Sequence, residues 1–362
     1  MLSNCLSLFF ATTLIAGFSI DTLPRSVAGN FDVRKLCEGV YAVIRKDPPG
    51  LMVDANSVFI IDDDDVVVVD TSGAPETSRT VLTALRKITN KPVKYVVNTH
   101  WHDDHIRGNQ VFRDAFPAAE FIGHADMRDY MPNQGAINRK QFLEGAPPVV
   151  AQMRSLLEAN KNFSGGLLTA EERESYTSDI KLAELALSGA ADAPTVLPTM
   201  ALQDRLTLYR GGRIIDIRHM GRGHTSGDIV VHLPKEGILI TGDLAVWPVP
   251  LVGDPQSHIG DWASTLDKLI RLGANTIVPG HGPVMHDDSH LKLMSRMFES
   301  IKRQVDAALA RGETLEQARK SVDLDEFRKQ MAGDSPVRRA LFNGYVASPG
   351  IAAAFREASE KR

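Results

Sequence analysis

The chain has 362 residues, 43% hydrophobic and 24% charged, proportions of a folded protein with room for one large domain and an appendage, or for two domains. A formal net charge of -4 gives no global basic field, which argues against nucleic acid as a partner. With only Cys5 and Cys37 present, neither a disulfide framework nor a cysteine-rich zinc site can be built.

Leu6 to Ile20 is apolar and uncharged. It is shorter than the roughly 20 residues of a membrane span, and it has the length of a secretory apolar core. Ser26-Val27-Ala28 offers a small-x-small cleavage site, although no Lys or Arg precedes the apolar run. The expectation is a signal peptide over residues 1–28 and a periplasmic protein with no stable membrane span after cleavage. An N-terminal anchor helix or a mis-assigned start are the alternatives. Cleavage at Ala28 leaves Cys37 alone, which suits an exported protein without disulfides.

Past the leader, Val40 to Ile44 and Ser57 to Ile61 read as strands, Asp62 to Asp65 as a polar turn, and Val66 to Val69 as a buried strand ending at Asp70. Pro75 to Ile88 reads as a helix with proline in its first turn. Val93 to Val97 is the next strand, and His100-Trp101-His102-Asp103-Asp104-His105 follows its C-terminal end. The order strand, helix, strand argues for a layered α/β architecture. Residues 126–198 look like a helical insertion, broken at Gly145-Ala146-Pro147-Pro148 and Ser164-Gly165-Gly166. Strands resume at Leu206 to Tyr209, Ile214 to His219, Ile229 to Leu233 and Ile238 to Thr241. An amphipathic helix, Trp262 to Leu272, leads to a final strand, Thr276 to Val278, and residues 286–362 read as a charged helical extension.

The chemistry concentrates at strand ends. In an extended segment, side chains at i and i+2 point the same way, so His100, His102 and Asp104 converge. His105 joins them only if the chain turns there, as into a helix from Ile106. Three imidazoles and a carboxylate within six residues are costly to bury without a metal or a charge partner. That donor set suits zinc, iron or manganese. Three more ligand-type residues sit just past apolar strands: His224 in Gly221-Arg222-Gly223-His224-Thr225, Asp243 in Thr241-Gly242-Asp243, and His281 in Pro279-Gly280-His281-Gly282. Strand ends are where α/β sheets present their sites. His258 lies in a loop rich in Pro and Gly that rims a pocket, and Trp101 and Trp247 are candidate walls. His124, His219, His232, His286 and His290 lack motif context and read as structural or solvent-facing.

Over about residues 35 to 285 the sequence resembles the metallo-β-lactamase fold hydrolase superfamily, whose hallmark H-x-H-x-D-H is followed by separate His, Asp and His ligands. The resemblance implies a four-layer αββα sandwich over 31–285 carrying the helical insertion. It implies His100, His102 and His224 on one metal, Asp104, His105 and His281 on a second, and Asp243 bridging both. Asp70 is similar to the family's buttressing aspartate, with a strand-end cap as its plainer reading. Asp243 is similar to the bridging aspartate of hydroxyacylglutathione hydrolases and lactonases, where true β-lactamases of the family usually carry Cys or Ser.

The implied cofactors are two divalent ions, zinc first, with iron or manganese as alternatives. Cations about 3.5–4 Å apart share a water and lower its pKa toward ~7. The expected reaction is attack of the bridging hydroxide on an ester, thioester, lactone or amide carbonyl of a small molecule, with Asp104 orienting the nucleophile. The two cations exceed Asp104, Asp243 and one hydroxide by one formal charge, so the site attracts electron-rich groups. The competing readings are a β-lactamase proper and a catalytically idle metal-binding periplasmic protein. The insertion reads as a lid, a homodimer contact, or a cap packing on itself.

Overall fold

The computed structural model describes residues 31–46, 50, 54–190, 194–253 and 255–360. The expected signal peptide, 1–28, lies outside the described residues. Twelve strands are described: β1 (Phe31–Cys37), β2 (Val40–Arg45), β3 (Ser57–Ile61), β4 (Val66–Val69), β5 (Val93–Val97), β6 (Glu120–His124), β7 (Met200–Leu202), β8 (Arg205–Arg210), β9 (Arg213–His219), β10 (Ile229–Leu233), β11 (Ile238–Val246) and β12 (Thr276–His281). The first seven form one sheet in chain order, antiparallel from β1 to β4 and parallel from β4 to β7. The second sheet runs β12-β11-β10-β9-β8, with β11 and β12 parallel. All four valines of β4 and all nine residues of β11 are buried, as strands covered on both faces require.

Three apolar clusters define four layers. Val58, Val67, Ile215 and Ile240 meet between the two sheets. Phe59, Val68 and Phe121 pack outward against Val81 and Leu85 of helix Pro75–Ile88 and Phe112 of helix Asn109–Ala115. Behind the second sheet, Val230 and Leu239 pack on Trp262 of helix Ile259–Ile270, on Phe298 of helix Ser289–Ala310, and on Leu341 and Ile351 of the last helices. The architecture is the αββα sandwich. The C-terminal helices share a core with the second sheet, so they are a structural part of its outer layer.

Several elements differ from the sequence reading. Strands β1, β6 and β7 were not anticipated: β1 is edge-like and half-exposed, β6 carries Gly123, and β7 has three residues. β11 continues to Val246 and β12 to His281, so Asp243 and His281 sit within strands rather than beyond them. The helix of the motif begins at Asp103, three residues earlier than expected. Helix Gln134–Ala159 runs through Pro147 and Pro148 without a break. Both prolines lie on the exposed side of the helix. Helix Ala170–Ala190 packs on it through Val150, Met153, Tyr176 and Ile180. Among the described residues no helix is long and apolar enough to cross a membrane.

Candidate metal centre

The seven sequence-predicted residues come together at one end of the two sheets. His100, His102 and His224 present ligand atoms within 4.8 Å of one another, and so do Asp104, His105, Asp243 and His281. His105 reaches the group because the chain leaves the extended conformation at His102 (φ -70°, ψ 145°) and enters the short helix Asp103–Ile106. The second group is tight: His281 Nε2 lies 3.1 Å from Asp104 Oδ2 and 3.3 Å from Asp243 Oδ1, and His105 Nε2 lies 3.2 Å from Asp243 Oδ1. The other carboxylate oxygen, Asp243 Oδ2, faces His224 Nε2 of the first group at 3.6 Å. Asp243 thus offers one oxygen to each group. Glycine makes room for it: a Cβ on Gly280 would stand 1.9 Å from Asp243 Oδ1.

These close approaches lack the alignment of hydrogen bonds. His100 Nε2, His105 Nε2, His281 Nε2 and Asp243 Oδ1 are all buried without a hydrogen-bond partner. Orphaned buried polar atoms are rare in folded proteins and ask for a reason. Here they converge, which is the arrangement a cation satisfies. The residues present fit a two-metal centre.

The electrostatics divide the site. Burial and neighbouring imidazoles hold His100 well below the ordinary histidine range. Burial lowers His102 as well, and burial together with His102 brings His224 to about 3. These three rings are neutral, with lone pairs to donate. Burial also pulls on His281 and His105, but the Asp243 and Asp104 carboxylates outweigh it, raising His281 to about 10 and His105 well above its usual value. Burial pushes Asp104 up, yet the charge on His105 and the contact with His281 bring it down to about 2. Without a metal, protons on His105 and His281 balance the carboxylates.

Each ring is steadied from behind. Asp70 Oδ2 lies 2.8 Å from His105 Nδ1 and accepts from the Thr99 hydroxyl at 2.7 Å, while Asp70 Oδ1 accepts from the Thr99 N–H at 2.8 Å. The residue read as a buttress or a strand-end cap therefore contacts a candidate ligand directly, and it does so from a left-handed backbone (φ 55°). His224 Nδ1 meets the Leu251 carbonyl at 2.7 Å, and His281 Nδ1 meets the Asp54 carbonyl at 3.1 Å. Asn56 clamps the turn that carries His281, donating to the Pro279 and Gly282 carbonyls at 3.0 and 2.9 Å.

A cavity of about 400 Å³ opens above Asp104, His102 and His224, with Trp101, Phe142, Leu182 and Val252 among its walls. Trp101 stacks on Tyr130. Helix Gln134–Ala159 roofs it and is fastened to the motif by Arg139, which bonds both oxygens of Asp103 at 2.9 and 2.8 Å. A second cavity of about 270 Å³, walled by Trp247, Val249 and Leu341, shares Asp54, Leu182, Leu251 and Tyr345 with the first. His258 faces Ser226 at 2.9 Å and lines neither cavity; Gln256 of the same loop does, 3.1 Å from His102. Burial lowers His124, His232 and His290, and His290 bonds the Val246 carbonyl, a structural role. Sequence reasoning missed Asp54, Asn56, Gln256, Arg139 and Tyr345. Only Asp54 and Asn56 left a trace, as polar residues abutting an apolar strand.

Comparison with known proteins agrees with this geometry. The family model for the metallo-beta-lactamase superfamily matches residues 52–281. A linear primary-alkylsulfatase of Pseudomonas sp. is 27% identical over 237 residues, 64% of this chain and 42% of the relative. A metallo-beta-lactamase type 2 of Bacillus cereus is 28% identical over 134 residues, 36% of this chain and 51% of the relative. The chain thus spans about half or less of these two relatives. An acyl-coenzyme A thioesterase of Bos taurus is 33% identical over 90 residues, 24% of this chain and 32% of the relative. In structure, a metallo-beta-lactamase from Pontibacter korlensis superposes with a TM-score of 0.52 at 19% identity, covering 74% of this chain and 99% of the other, a likeness of fold. With a match that runs from before Asp70 to His281, the chain belongs to the metallo-beta-lactamase superfamily.

Proposed function

We propose that the protein is a two-metal hydrolase, zinc being the first candidate, that cleaves an ester, thioester, lactone or amide bond in a substrate carrying an apolar chain. The observation that carries this reading is the convergence of four buried ligand atoms that make no hydrogen bond: His100 Nε2, His105 Nε2, His281 Nε2 and Asp243 Oδ1. His100, His102 and His224 would hold one cation, and Asp104, His105 and His281 the other, with one oxygen of Asp243 toward each. When bound, the cations would supply Lewis acidity and activation of water at neutral pH.

The chain's own residues do the rest. Asp104, whose side chain is 26% exposed, faces the cavity and orients the attacking water as a hydrogen-bond acceptor. Asp70 and the Asp54 carbonyl keep the protons of His105 and His281 on Nδ1, so that Nε2 is free to coordinate. Trp101, Phe142, Leu182 and Leu251 exclude bulk water and accommodate apolar matter. Two adjoining cavities give the chain on either side of the scissile bond a place to lie. The names of the alkylsulfatase and thioesterase relatives support a chain-bearing substrate.

The test is metal analysis coupled to hydrolysis of a panel of acyl esters, thioesters, lactones and amides of increasing chain length, with an alkyl sulfate and nitrocefin included. Two metals per chain and acyl turnover removed by Asp104→Ala support the reading. Full turnover by metal-stripped protein overturns it. Nitrocefin as the best substrate would mark a β-lactamase proper, against the bridging aspartate at 243. Two metals with silence across the panel would mark a binding protein.

A further inference from the structure

Five imidazoles enter the metal centre, and four lean on groups with few free torsions: the Thr99 hydroxyl for His100, the Asp70 carboxylate for His105, and the carbonyls of Leu251 and Asp54 for His224 and His281. His102 is the exception. Its Nδ1 lies 2.8 Å from His224 Nε2 inside the first ligand group, and its Nε2 lies 3.1 Å from the Gln256 side-chain oxygen. A neutral imidazole carries one proton, and the nitrogen that coordinates must be bare. A proton on Nε2, donated to Gln256 Oε1, leaves Nδ1 free.

Gln256 is itself held from the roof. Its amide nitrogen donates to Asn138 Oδ1 at 3.4 Å, and Asn138 Oδ1 accepts from Gln134 Nε2 at 2.8 Å within helix Gln134–Ala159. The loop beneath is anchored by Ser257, whose hydroxyl accepts from the Gly253 N–H and donates to the His224 carbonyl, both at 2.9 Å. Gln256 therefore hydrogen-bonds both a candidate ligand and the roof helix, beside the Arg139–Asp103 pair that fastens the same helix to the motif.

Building on the two-metal reading above, we propose that Gln256 is a positioning residue that fixes the tautomer of His102 and couples occupancy of the His100–His102–His224 site to docking of the roof helix. The coupling runs both ways, because a binding free energy shared between two events is reciprocal. Metal binding steadies His102, His102 steadies Gln256, and Gln256 steadies Asn138. A roof lifted by an incoming substrate loosens the same chain from the other end.

Two substitutions separate the two arms. Gln256→Met keeps the length and removes the acceptor, so the first-site metal dissociation constant rises ~10–100-fold, the usual effect of losing a partner behind a metal-bound histidine. Gln256→Glu keeps an acceptor for His102 and cannot donate to Asn138. It should bind metal within about threefold of wild type while losing the link to the roof. Zinc affinity is measured by competition with a chromophoric chelator. Roof mobility is measured by amide hydrogen exchange over residues 134–159 in full-length protein with zinc and after chelation, with circular dichroism checking the fold. In wild type, zinc slows exchange there; in both variants the slowing disappears. Wild-type affinity in Gln256→Met overturns the proposal, as does roof exchange indifferent to zinc in wild type or still slowed in Gln256→Glu. A wild-type chain that takes up no zinc overturns the two-metal reading and this coupling with it, a result distinct from the others.

Discussion

Asp70→Asn is the most informative single substitution. Asparagine keeps the shape and, like aspartate, tolerates the left-handed backbone at φ 55°, so backbone strain is not what changes. Three donors point at the carboxylate: the Thr99 N–H, the Thr99 hydroxyl and His105 Nδ1, at 2.7–2.8 Å. Thr99 and His105 are buried, and His105 is fully so. With one amide oxygen in place of two carboxylate oxygens, at least one donor faces an NH2 group. A buried donor left unpaired costs ~1–3 kcal/mol, and losing the charge on the remaining bonds costs about 1 more. The sum is ~2–4 kcal/mol. For 362 residues at ~2.1 cal/mol/K each, the melting entropy is near 0.76 kcal/mol/K. Metal-free protein should then melt about 3–5 °C lower. A second effect is separable. If His105 escapes the clash by moving its proton to Nε2, it blocks the coordinating atom, and metal affinity falls ~10–100-fold. Differential scanning calorimetry on chelated protein reads the first, and zinc titration the second. An Asp70→Asn protein with wild-type melting and wild-type zinc affinity would refute the reasoning and leave Asp70 as a strand-end cap.

Other substitutions probe the rest of the site. Gly280→Ala places a methyl 1.9 Å from Asp243 Oδ1 and 2.8 Å from the Gly242 carbonyl carbon, so it should displace the shared carboxylate with its strand and lower metal content below two per chain by atomic emission, circular dichroism checking the fold. Arg139→Ala removes both bonds to Asp103; because the pair is part-exposed the cost is only ~1 kcal/mol, read as about fivefold faster limited proteolysis within residues 134–159 and little change in overall melting. Trp247→Ala enlarges the second cavity and should shift the preferred substrate toward longer chains in kcat/KM; an unchanged chain-length profile would place that cavity outside the substrate path.

The sequence made the ligand set legible because each ligand segment follows a short apolar, β-rich run. Val93–Val97 leads to His100, and β-branched runs precede Asp243 and His281. Period-two spacing grouped His100 with His102, but not Asp104: the helical turn at Asp103–Ile106 carries Asp104 together with His105 into the second group. The buried valines of β4 placed Asp70 at a strand end. What it did not reveal joins the site through tertiary contact alone. Gln256 is 154 residues from His102 and 118 from Asn138, and a lone glutamine in a loop carries no periodic signature. Tyr345 arrives from a π-helical turn, Asn343–Ala347, in a helical extension whose pattern reads as ordinary amphipathic packing. The prolines at 147 and 148 misled because proline's cost in a helix interior is finite, about 3 kcal/mol each, and the helix, packed on Ala170–Ala190 through Val150 and Met153, continues through them.

Metal stoichiometry measured on the purified protein beside its hydrolytic rate, before and after chelation, bears most directly on the two-metal site. Two divalent ions per chain are expected, with hydrolysis lost on chelation, restored by zinc, and absent in His102→Ala together with reduced metal content. Undiminished hydrolysis by a chain shown to hold no metal would contradict the two-metal centre.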